Sequence, residues 1–152
     1  MKIGVINFLI NEGDCFERVN KFGLDVCQLI SWDHTLATPE TARNVVHYSE
    51  KAGVRISAMW AGLPQPQIWN FKVGPLTLGI VPEAYRKERV QVLKKWADFA
   101  AGIEAPAIVT HCGFIPENMT DPAYPAVVDT IGEIAAYCEA LGIGFWLETG
   151  QE

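Results

Sequence analysis

The sequence predicts an α/β fold of five parallel strands and four helices. A unit made of a helical pattern, a glycine and a short apolar run occurs four times, and the helical stretches place apolar residues at three-to-four spacing. The chain has 152 residues, 49% hydrophobic and 20% charged. That balance excludes disorder and suits one domain spanning 1–152 with a core large enough to fold without disulfides.

The first strand, Lys2 to Phe8, has no preceding helix. Phe22-Gly23 then leads into Leu24–Ile30, Ala52-Gly53 into Val54–Trp60, Ala101-Gly102 into Ala107–His111, and Leu141-Gly142 into Ile143–Glu148. A glycine just past a helix takes the left-handed conformation that ends it. Thr38-Pro39 reads as an N-cap followed by proline in the first turn; Asp121-Pro122 repeats that signature and Val81-Pro82-Glu83 resembles it. Val92, Leu93, Trp96, Phe99 and Ala100 form one apolar helix face, and Val127, Ile131, Ile134, Ala135, Cys138 and Leu141 another. The segment from Ala61 to Val81 is a long loop after the third strand, and its Trp69 and Phe71 favour an ordered one.

Alternating strands and helices imply parallel pairing through crossovers. Two architectures use this order, an open doubly wound sheet and a (β/α)8 barrel. Five strands complete the first, but its last strand needs a covering helix, and the sequence stops at Glu152 directly after the fifth strand. A closed barrel needs about 250 residues. The expectation is therefore the N-terminal portion of a barrel, truncated after strand five.

The net charge of −6, with no basic stripe, argues against nucleic acid as a partner. The short apolar N-terminus meets Asn11 and Glu12 at once, which argues against a signal peptide, and no stretch approaches the ~18 apolar residues of a membrane span. Cys15, Cys27, Cys112 and Cys138 are scattered, as thiols of a reducing compartment are, so the expected location is cytoplasmic. No phosphate-binding glycine loop and no G-x-S-x-G turn is present.

Ligands of both architectures bind beyond the carboxyl ends of the strands. The residues there are Asn7, the run Ser31-Trp32-Asp33-His34, Trp60, His111 and Glu148. Glu148 ends an apolar run, where a carboxylate needs a cation to offset desolvation or must turn into solvent. His111 is a metal ligand, proton shuttle, hydrogen-bond donor or satisfied core group; neighbouring Gly113 permits close backbone approach. His34 and His47 are weaker candidates. Trp32, Trp60 and Trp69 wall a sugar-sized pocket or are ordinary core.

Thr110–Asn118, Leu147–Glu152 and Gly74–Pro82 resemble the sugar phosphate isomerase/epimerase group of the xylose isomerase-like TIM barrels. The resemblance implies a partial TIM barrel and a sugar or sugar-phosphate substrate isomerised or epimerised by metal-assisted proton transfer. It implies a divalent metal with Glu148 as first ligand and His111 facing the site, both also catalytic. Carboxylate and imidazole donors suit Mn, Mg, Co or Zn, and from their strand-end positions Trp32, Trp60 and Asn7 are the expected substrate-binding residues. The remaining ligands belong to strands six to eight, which the sequence lacks, so the truncated chain is expected to be inactive. The role of Glu152 is open. The alternatives are a non-catalytic half-barrel that associates, with itself or a complementary piece, through exposed edges, and an open-sheet small-molecule binding module.

Overall fold

The computed structural model describes residues 2–11 and 13–149. Five strands, β1 (Val5–Phe8), β2 (Val26–Ser31), β3 (Arg55–Ala61), β4 (Ala107–His111) and β5 (Gly144–Glu148), form one sheet in sequential order with every neighbouring pair parallel. That order decides between the two architectures. A doubly wound sheet reverses direction at a switch point, whereas here each crossover steps onward the same way. The chain thus builds part of a β/α barrel wall.

The helices are α1 (Glu17–Lys21), α2 (Pro39–Ala52), α3 (Gly74–Thr77), α4 (Glu83–Gly102) and α5 (Tyr124–Ala140). The extra helix relative to expectation is α3, a single turn inside the long β3–α4 connection; a 3₁₀ turn at His34–Leu36 is also added after β2. Thr38 caps α2 as its sequence predicts, its hydroxyl accepting from Thr41 N–H at 3.1 Å. The expected cap at Asp121 is displaced. Asp121 accepts from Ala123 N–H in a local turn, and α5 starts only at Tyr124. Gly23, Gly53 and Gly142 end their helices at positive φ. Gly102 instead lies within α4, and Glu104 takes the left-handed position at φ 57°.

The sheet has two unlike faces. On one, Leu29, Met59, Ala61 and Ile108 join Phe16, Leu93, Trp96 and Ile134 in the main core. The expected face of α4 is buried throughout, while Ala135 of α5 and Leu141 just past its end are exposed. The other face holds a small cluster of Ala58, Trp60 and Val109 with Ile30 against it. Beside it Ile6, Phe8 and Trp146 are 58%, 51% and 50% exposed. This second face is the concave, inner side of the wall.

All four cysteines are buried, and burial pushes the Cys27 and Cys138 thiols up to about 11. Among the described residues no helix is long and apolar enough to cross a membrane.

Candidate functional site at the carboxyl rim

Parallel strands in sequential order end at a common rim, and register decides which side chains share it. His111 pairs with Glu148 across β4 and β5, so acid and imidazole stand side by side on the inner face. Trp60, next to last in β3, lies on the same face. Its indole N–H donates to Glu148 Oε2 at 2.6 Å, reaching over β4. β3 and β5 lie about 10 Å apart in the sheet, so this contact bridges the concave side.

Two further tryptophans come from the loops. Trp32, just past β2, lies against Trp60 with ring centroids 4.4 Å apart. Trp69, in the β3–α4 connection, meets Trp32 edge-on at 5.9 Å and His111 at 5.0 Å. Trp32, Trp60, Trp69, His111 and Glu148 therefore form one connected group. Trp32 and Trp69 are 44% and 43% exposed, and Trp60 is buried.

The state of His111 follows from its partner. The Gly113 backbone N–H donates to His111 Nδ1 at 3.1 Å, so Nδ1 is the acceptor and the imidazole hydrogen sits on Nε2. That Nε2 is buried and has no hydrogen-bond partner among the described residues. Gly113 reaches this position at φ +94°, with Leu78 O only 2.2 Å from where a Cβ would stand.

The other expected residues lie elsewhere. Asn7 faces the helix side of β1, its amide buried beside the Cys15 and Cys27 thiols. It shares that side with Val5, while Ile6 and Phe8 take the inner one. His34 sits in the 3₁₀ turn and His47 on α2 against Tyr48. Glu152 is outside the described residues. A groove between α2 and α4, lined among others by Arg43, His47, Glu50 and Lys95, contains none of the rim group.

The donor set does not fit a complete divalent-cation site. Among the described residues no three His, Cys, Asp or Glu side chains cluster to hold a metal. Glu148 supplies one carboxylate, with one oxygen already engaged by Trp60, and an Nε2–H imidazole has no lone pair to give at that nitrogen.

A wall of β/α units with its polar groups gathered at the carboxyl rim is the anatomy of a β/α-barrel protein. The chain belongs to the xylose isomerase-like TIM barrel family, whose model matches residues 16–151. It is similar to the xylose isomerase domain protein from Planctomyces limnophilus, with 27% identity and a TM-score of 0.88 over 99% of this chain and 54% of that one. It shares the fold of a D-tagatose 3-epimerase-like protein (19% identity, TM-score 0.72, 98% of this chain and 53% of that one). The same holds for a 3-keto-D-glucoside 4-epimerase from E. coli (16% identity, TM-score 0.66, 97% and 55%). The chain spans about half the length of these structures. No curated protein matches it.

Proposed function

We propose that this rim is part of the active site of a sugar isomerase or epimerase that moves a proton on carbon. The carrying observation is the pairing of His111 with Glu148 beside three tryptophans on the inner face. Indole faces suit the C–H faces of a sugar. The buried His111 Nε2–H donates to a sugar carbonyl or hydroxyl oxygen and polarises it. Glu148, one oxygen held by Trp60, takes a proton from the carbon next to that carbonyl, leaving an ene-diolate whose charged oxygen accepts from His111 Nε2–H. Protonation of the same carbon by an acid on the opposite face gives the epimer; return of the Glu148 proton to the neighbouring carbon, with the hydroxyl proton passing between the two oxygens, gives the isomer. Family membership and the epimerase neighbours support this reading.

In this reading His111 is a donor to substrate and not the metal ligand its position in the sequence suggested. Within the rim group, Glu148 is the candidate ligand for a divalent cation.

Sugar binding to the chain tests the reading. Ketoses titrated into the protein should quench tryptophan fluorescence saturably, Trp32→Ala should remove most of the change, and His111→Ala should weaken binding. In protein that turns over, Glu148→Gln should abolish exchange of the carbon-bound hydrogen with D2O. No saturable quenching, or exchange indifferent to Glu148→Gln, ends the assignment.

A second reading, association through the inner face, is favoured by the exposure of Ile6, Phe8 and Trp146 on one surface. A single monomeric mass by light scattering across concentration would remove it.

A further inference from the structure

Arg89 is the one charged residue described as fully buried, at 0% exposure in the middle of α4. Among the described residues it makes no ion pair; its partners are carbonyls. Nη1 donates to Thr77 O at 2.7 Å and Gly79 O at 2.6 Å, and Nη2 to Pro64 O at 3.0 Å and Pro66 O at 2.6 Å. Its guanidinium also lies over the Tyr85 ring at 4.7 Å. A cation without a carboxylate is costly to bury, and burial accordingly lowers its pKa from the ordinary value. Such an arrangement persists where its bonds hold something in place.

The four carbonyls come from the two ends of one loop. Pro64 and Pro66 follow β3, while Thr77 and Gly79 precede α4, so the guanidinium ties the loop shut at its base. Between these ends stands Trp69. The adjacent Ile68 N–H donates to the Thr77 hydroxyl at 3.2 Å, a second tie across the same loop. The closing end also touches the next rim loop. A Cβ on Gly79 would stand 1.9 Å from Cys112 O, and Ile80 N–H donates to Cys112 O at 2.8 Å. Gly113 follows directly, and its N–H sets the His111 tautomer. The chain of contacts runs from Arg89 to Gly79, to Cys112-Gly113, to His111, with Trp69 on a side branch.

We infer that Arg89 is a positioning residue for the rim: by clasping both ends of the 62–82 loop it sets the place of Trp69 and, through Gly79 and Gly113, the orientation and tautomer of His111. This rests on the reading of the rim as a substrate site. The mechanism requires Nε2–H to face the sugar, and Arg89 holds that arrangement from outside the pocket. Lysine is a poor replacement, because one ammonium cannot reach four carbonyls in the planar fork that a guanidinium offers.

The test needs neither ligand nor turnover, so its failure and failure of the sugar reading are told apart. The 152-residue protein is labelled with 5-fluorotryptophan and with 15N-histidine, and its Trp69, Trp146 and His111 resonances are assigned by Trp69→Phe, Trp146→Phe and His111→Gln. In the parent, His111 should show two widely separated nitrogen resonances, an unprotonated Nδ1 and a protonated Nε2. In Arg89→Lys, the Trp69 fluorine line should shift and broaden and the two His111 nitrogens should move toward a common value, while Trp146, on β5, stays in place. Unchanged Trp69 and His111 lines overturn the proposal. So does an equal movement of Trp146, which would show general loosening instead of rim positioning. If Arg89→Lys yields no folded protein, Tyr85→Leu, which removes the ring beneath the guanidinium, decides by the same readouts.

Discussion

Gly113→Ala separates two costs that are usually mixed. Gly113 sits at φ +94°, where an L side chain is strained by about 1–2 kcal/mol. Its new Cβ would also stand 2.2 Å from Leu78 O and 3.0 Å from Leu78 C, both backbone atoms of the Arg89-clasped loop. Relieving that overlap means moving one loop backbone against another, an overpacking cost of about 1–3 kcal/mol. The expected total is about 2–5 kcal/mol. With a urea dependence near 2 kcal/mol per molar, the unfolding midpoint should fall by roughly 1–2.5 M. Gly53→Ala is the control, because Gly53 has φ +63° but nothing within 4 Å of its would-be Cβ. It should lose only the conformational part, about 1–2 kcal/mol. If Gly113→Ala costs no more than Gly53→Ala, close approach of the two rim loops is not what the glycine is for.

Other expectations follow from single contacts. Thr38→Ala should cost about 1 kcal/mol in urea unfolding, because the Thr41 N–H loses its hydroxyl partner. A double-mutant cycle on Trp60→Phe and Glu148→Gln should show coupling of about 1 kcal/mol, and none if the 2.6 Å bond is absent in solution. Cys27 and Cys138 hold their protons to about 11 when folded, against an ordinary 9.0. The folded state thus keeps protons that the unfolded chain releases, and stability should fall as pH rises from 9 toward 11. Cys138→Ala should flatten that slope, read by thermal unfolding across pH. Calorimetric titration of Mn²⁺ into the chain should show no micromolar site, since no three His, Cys, Asp or Glu side chains cluster among the described residues.

Much of the frame is legible in the amino-acid sequence because its signals are local. Gly53 and Gly142 end their helices, Thr38 caps the next one, and β4 has the predicted bounds, Ala107–His111. Fixing both the β4 and β5 ends placed His111 and Glu148 at one rim, and strand alternation set them on one face. Asn7 shows where this reasoning stops. It ends the same kind of strand, yet in Val5-Ile6-Asn7-Phe8 both faces carry apolar residues, so the sequence does not say which parity is inward. The start of α5 was misplaced because an aspartate before proline serves a local turn as well as a cap. Arg89 carries no local sign at all. It stands among the exposed Lys87, Glu88 and Gln91, and its partners lie 10 to 25 residues away.

The stepwise order of the sheet bears on how the molecule comes into being. Every strand after the first hydrogen-bonds to the one made just before it. On a ribosome, each newly emerged β-α piece would find its template already outside the exit tunnel, with no distant stretch left to wait for. Synthesis itself can then lay down the wall from one side to the other, and the rim residues arrive in the order His111, then Glu148, onto indoles already in place.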